Sequence, residues 1–171
     1  MIDLDLLPAN KTEIKNGIVL KSLAVCGEIK NFDYIVSIPV FKTHMHCGVS
    51  LSLKNMKGCL RTREKVRLHQ LPQPEGGTDE KTLNIAIADL STILKPDLAL
   101  IDGTIGMEGL GPSAGTPKKM NLVLASTDYL NADAVAATLM GFKPEEIPHI
   151  RLTAERVGRK LNINEINISP F

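Results

Sequence analysis

Between Lys42 and Lys57 the chain gathers Lys42, His44, His46, Cys47, Lys54, Asn55 and Lys57, with Ser50 and Ser52 among them. Lysines and a side-chain amide suit an anion, so Lys42, Lys54, Asn55 and Lys57 are the expected anion-binding residues. His44 titrates near neutral pH and is the expected acid or base. A helix opening near Ser50 would aim unpaired backbone N–H groups at the same anion. His44, His46 and Cys47 are soft or borderline donors that could share a divalent metal, since His-x-His on an extended chain places both rings on one side. Two bland readings stand beside these: a solvated basic face with incidental histidines, and no metal at all.

A second stretch, Asp102 to Gly115, holds five of the 13 glycines together with Asp102 and Glu108. Glycines let backbone approach a ligand and adopt positive φ. Asp102 and Glu108 are therefore expected to hold a metal or a second catalytic proton. The plain alternative is a long connection whose Asp caps a turn. Gly106, Gly109 and Gly111 have the wrong order for the dinucleotide fingerprint, and no G-x-x-x-x-G-K-[ST] occurs. Asp133 sits inside an Ala-rich segment, where a structural hydrogen bond is expected before catalysis. Cys47 as a nucleophile would need an orienting third residue, and none is visible.

The elements that position these residues read as strand, helix, strand, helix. Residues 1–17 form an irregular lead-in. Ile18 to Leu20 is a short strand, Leu23 to Lys30 a helix, and Tyr34 to Val40 a buried strand ending near Pro39. Val49 to Lys57 fits both periods, with Ser50 as N-cap and Gly58 past the end favouring a short helix. Residues 61–78, with two prolines and two glycines, are expected to be a mobile loop. Thr82 to Leu94 is a helix, Asp97 to Ile101 a strand, 104–119 a loop and Leu122 to Ala125 a third strand. Asp128 or Thr127 caps a helix ending at Gly141, Pro148 opens another through Val157, and Leu161 to Ile168 alternates as an edge strand. The expected fold is one α/β domain over 1–171, with a mostly parallel sheet of about four to five strands and helices on both faces. Ligands in such sheets bind beyond the strand carboxyl ends, where 40–48 and 102–115 both leave.

Composition narrows the function classes. The chain has 171 residues and a net charge of +1. That total hides a concentration: Lys42 to Arg67 holds seven basic residues and one acid, leaving 13 basic and 18 acidic residues elsewhere. A basic patch on a mildly acidic body fits a small anion better than a long polyanion. Aromatics at 4% and no Trp argue against single-stranded nucleic acid. Three cysteines without CxxC spacing argue against a disulfide framework and for a reducing, cytoplasmic setting. No apolar run is long enough to span a bilayer, so no membrane is expected.

The ordered motifs Asp33 to His44, Gly48 to Gly58, Asp102-Gly103, Gly106 to Pro112 and Asp128 to Gly141 resemble the family called domain of unknown function 362 (DUF362), over about residues 18–155. The resemblance implies a site using Lys42, His44, Lys54, Asn55, Asp102, Glu108 and Asp133, and a redox-related activity of an oxidoreductase or of a metal- or cofactor-dependent enzyme. Some members carry ferredoxin-like cysteine clusters; this chain lacks that pattern, which argues against an iron–sulfur cluster of its own. Members also begin with a further strand–helix portion. The chain therefore reads as the C-terminal half to two-thirds of the family domain, a partial domain that would self-associate or take a partner supplying the N-terminal portion. A shorter similarity, His44, Gly48, Lys54 and Gly58 in order, is to the nickel-pincer lactate racemase family, and keeps a His/Lys cofactor site in view. The leading expectation is an anion-binding enzyme domain. The alternative is a non-catalytic assembly module whose basic 42–67 surface meets an acidic partner.

Overall fold

A computed structural model describes residues 3–169. The chain opens with an antiparallel ribbon of β1 (Ala9–Glu13) and β2 (Ser22–Cys26). Next come β3 (Val36–Ser37) and β4 (Val40–His44), one extended run interrupted at Ile38-Pro39, where proline removes a ladder donor. A tight turn leads into β5 (Gly48–Ser50), then α1 (Ser52–Asn55) and a 3-10 turn (Met56–Cys59). Helices α2 (Thr62–His69) and α3 (Thr82–Ser91) precede the long hairpin of β6 (Leu98–Leu110) and β7 (Ala114–Ser126). Two more helices, α4 (Tyr129–Leu139) and α5 (Pro148–Arg156), complete the fold.

The α/β class and the strand number agree with the sequence. The main sheet is mixed and five-stranded: β6 runs parallel to β3 and β4, while β5 and β7 add antiparallel edges. Ala99, Ile101 and Gly103 of β6 are buried on one face beneath α4. The opposite face leaves Val36, Val40 and Val123 exposed, at 43%, 41% and 59%. No helix among the described residues is long and apolar enough to cross a membrane.

Several local expectations are corrected. The 1–17 lead-in contains β1, and 61–78 contains α2. Leu23 to Lys30 is strand and 3-10 turn rather than helix, because Leu23, Val25 and the β1 ladder hold it extended. Residues 18–20 are not a strand. Their N–H groups donate to the carboxylate of Asp89, at 3.1, 2.9 and 2.9 Å. Asp89 is fully buried and also pairs with Arg156 at 2.9 Å, so one α3 carboxylate anchors the entry to β2. Leu161 to Ile168 forms a 3-10 turn at Ile163–Glu165 instead of an edge strand.

The largest difference is the glycine-rich stretch, which is not a loop. Residues 104–119 belong to the β6–β7 hairpin, which docks along β4. Its glycines approach the chain's own backbone. A Cβ on Gly111 would stand 1.9 Å from the Thr43 carbonyl oxygen, and one on Gly106 would stand 3.0 Å from that of Phe41. The Met45 N–H donates to the Gly111 carbonyl at 3.0 Å, and Thr43 Oγ1 to the Gly109 carbonyl at 2.8 Å. Absent side chains here let two strands touch.

Candidate functional site

The end of β4 and the β4–β5 turn carry Lys42, His44, His46 and Cys47 into a cluster rich in basic side chains. Lys54 comes from α1, Lys57 from the following 3-10 turn, His69 from the end of α2, Lys81 from the N-cap of α3 and His149 from the first turn of α5. All four histidines of the chain meet here. The His44 and His46 ring centroids are 5.8 Å apart. Lys57 Nζ lies 2.8 Å from His69 Nε2, and Lys81 Nζ lies 3.4 Å from His46 Nδ1.

Burial and like charge act together on His44, Lys54, Lys57, His69 and His149. His44 is 5% exposed, and burial followed by Lys54, His46, His69 and Lys57 lowers its pKa to about 4. Its Nδ1 accepts the His46 N–H at 3.1 Å, which puts the neutral ring's proton on Nε2. Burial lowers Lys54, with Lys42 adding to the effect. Burial, then Lys54, brings Lys57 down to about 8. His149 is fully buried, and burial followed by Lys54 and His44 takes it to about 3. Neither of its ring nitrogens has a hydrogen-bond partner. The Cys47 backbone lies close enough to favour the protonated ring slightly, without a well-directed bond.

Among the described residues no ion pair answers the charge of these lysines. Among the described residues the ion pairs use Lys65, Arg67, Lys118, Lys143, Arg151, Arg156 and Arg159, and never Lys42, Lys54, Lys57 or Lys81. The basic run therefore divides. Arg61, Lys65 and Arg67 are tied to Asp5, Glu64 and the Ser22 carbonyl, while Lys42, Lys54 and Lys57 form no ion pair among the described residues.

Other expected site residues lie outside this cluster. Asp102 accepts the Thr104 N–H at 2.8 Å, capping the bulge where the β6–β7 register shifts. Glu108 is exposed and pairs with Lys118 at 2.6 Å across the hairpin. Neither acid is among the groups that perturb His44. Asn55 donates to Ser37 Oγ at 3.0 Å, so its amide binds α1 to β3. Ser50 belongs to β5, and α1 begins at Ser52 without a side-chain cap of its own. Its Ser52 and Leu53 N–H groups are taken by the Asp133 carboxylate at 2.8 and 2.9 Å. The expected helix-terminus anion site is thus filled by the protein itself. Burial raises Asp133 to about 7 against those two hydrogen bonds, which hold the start of α1.

Among the described residues no three His, Cys, Asp or Glu side chains are grouped to hold a metal ion. His44, His46 and Cys47 do not assemble as ligands: His44 Nδ1 is occupied, His46 turns toward Lys81, and Cys47 is buried with its thiol pushed up by that burial. His69, Lys81 and His149 are the members that sequence reasoning missed. His149 follows Pro148 on a helix start, and nothing in its local pattern marks it as facing a site 100 residues upstream in the chain.

A family model described as "Domain of unknown function (DUF362)" matches residues 1–138. The match takes in the start of the chain and stops before 155, against the expectation of a C-terminal half to two-thirds matched over about 18–155. A thylakoid-associated protein of Synechocystis sp. is 28% identical over 136 residues, covering 80% of this chain and 41% of that protein. The chain thus spans less than half the length of this curated relative. No solved structure matches.

Proposed function

Because the chain belongs to the family described as domain of unknown function DUF362, whose description names no reaction, we propose a function from the cation cluster: it binds a small multivalent anion, a phosphate or polycarboxylate, between Lys54, Lys57, His44 and His149. One observation carries this reading. Four lysines and four histidines converge without a carboxylate partner, several of them buried. Uncompensated like charge in a partly desolvated site is costly, and an anion removes the cost. The orphaned nitrogens of His149 supply a second reason, since buried polar atoms normally have partners.

In this reading Lys54 and Lys57 neutralise the anion and Lys42 and Lys81 steer it inward. Neutral His44 donates its Nε2–H. When the anion arrives its charge raises the pKa values of His44, His149 and Lys57, so binding takes up protons and strengthens as pH falls from about 8 toward 5. His44 then becomes a proton donor to a substrate held against it. The exposed apolar face beside β4 fits self-association, and a monomer at micromolar concentration in sedimentation would remove that part.

Calorimetry with inorganic phosphate and with citrate tests the binding. Lys54→Ala is expected to weaken either anion by about 10-fold or more, from the loss of one desolvated charge contact. Unchanged affinity in that variant, or no heat with either anion in the parent protein, would refute the reading.

A further inference from the structure

Outside the cluster, Cys26 and Cys59 adjoin the bridge that joins β2 to the residue after the Met56–Cys59 turn. An isolated antiparallel bridge joins Val25 to Leu60. Cys26 follows Val25 and Cys59 precedes Leu60, so the two cysteines adjoin the bridge on the same side of it. The bridged Cα atoms of an antiparallel pair stand about 4.5–5.5 Å apart, which sets the adjoining cysteines near the window of about 4.4–6.8 Å that a disulfide spans. Both thiols are free, Cys26 buried and Cys59 partly exposed, and Cys26 lies close enough to act on the Cys59 thiol. Cys47 lies apart, among Lys54, Lys57 and Lys81.

We propose that Cys26 and Cys59 are a reversible dithiol–disulfide pair, oxidised by thiol–disulfide exchange with a small or protein disulfide. The partly exposed Cys59 reacts first. Its thiolate attacks one sulfur of the oxidising disulfide, whose S–S bond breaks and releases one thiol. The Cys26 thiolate then attacks the Cys59 sulfur, closing the internal bond and releasing the second thiol. Two electrons and the two thiol protons pass from the protein to the oxidant, and a dithiol reductant reverses both steps. The bond ties β2 to the 3-10 turn that carries Lys57, and so connects redox state to the mobility of that lysine.

Burial followed by the neighbouring Cys26 pushes the Cys59 thiol up to about 11, so exchange is slow and favoured by mildly alkaline solution. The test is prolonged incubation of the full chain with oxidised glutathione near about pH 8.5, then intact mass and peptide mapping, with a urea-unfolded sample as the oxidation control. The expected product has lost two hydrogen atoms, contains a Cys26–Cys59 peptide pair and leaves Cys47 reduced. Its melting temperature is higher than that of the reduced form by about 5–10 °C. Cys47→Ser keeps the bridge; Cys59→Ser removes it. A bridge involving Cys47, only intermolecular dimers, thiols that stay reduced while the unfolded control oxidises, or a lower melting temperature would each overturn the proposal.

Discussion

Lys57→Met is the substitution on which stability and binding should move in opposite directions. Lys57 is 8% exposed and its amine lies 2.8 Å from His69 Nε2, itself near Lys54 and His46. Burial, then Lys54, lowers its pKa from 10.5 to about 8. At about 1.4 kcal/mol per unit, that displacement corresponds to roughly 3 kcal/mol of penalty for the charged form in the empty protein. Solvent near the amine screens part of this, leaving about 1–2 kcal/mol. Methionine keeps the unbranched stem and removes the charge. Urea unfolding at pH 7 should therefore show the variant more stable by about 1–2 kcal/mol, while calorimetry shows phosphate binding weakened by about 10-fold or more. The pH sign provides a second check. A lowered folded pKa means the folded protein binds fewer protons than the unfolded chain between about 8 and 10.5. Parental stability then rises across that window, and the gap to the variant closes. If Lys57→Met instead destabilises the protein by 1 kcal/mol or more, the Lys57–His69 contact is structural and the unpartnered-charge reasoning is wrong.

Acid unfolding should reflect His149. Its folded pKa of about 3 lies below the ordinary 6.5, so its contribution to stability falls as pH drops from 6.5 toward 3, at up to about 1.4 kcal/mol per pH unit. Asp133, raised to about 7, acts with the opposite sign between 3.8 and 7. His149→Gln should flatten the acid limb of stability against pH in urea titrations, and an unchanged limb would count against the buried neutral ring. Asp133→Ala removes the acceptor of two buried N–H groups and should cost about 2–4 kcal/mol, with weaker phosphate binding because Lys54 shifts; Asp133→Asn, which keeps one oxygen, should recover part of both. Gly111→Ala drives a methyl into the Thr43 carbonyl and should cost about 3 kcal/mol or more or prevent soluble expression, whereas Gly58→Ala, with nothing within 4 Å, should melt like the parent.

Much of the fold was legible because apolar period and punctuation agree locally. Thr82 to Ser91, Tyr129 to Leu139 and Pro148 to Arg156 are helices as their spacing, caps and stops indicate. Val49 to Lys57 fitted two periods because it is two structures in succession, a strand and then a helix with a 3-10 extension. The hairpin was hidden because glycine and proline between 103 and 117 look like a connection. For Gly106 and Gly111 the reason is a close approach to β4, a tertiary fact without a local signature. Ile18 to Leu20 has strand composition, but its donors go to Asp89, 69 to 71 residues away.

The candidate site shows the same division between composition and placement. The stretch from Lys42 to Lys57 marks Lys42, His44, Lys54 and Lys57 correctly as neighbours, since strand, turn and helix are consecutive. It cannot separate those lysines from Arg61, Lys65 and Arg67, which have the same charge and an equal claim on an anion. The fold makes that separation by supplying Asp5 and Glu64 to the second group and only His69, Lys81 and His149 to the first. A cation with a carboxylate beside it is satisfied; one surrounded by cations and buried imidazoles retains unspent attraction for an anion. On the proposed reading, anion binding therefore rests less on how many basic residues the segment holds than on which of them form no ion pair among the described residues.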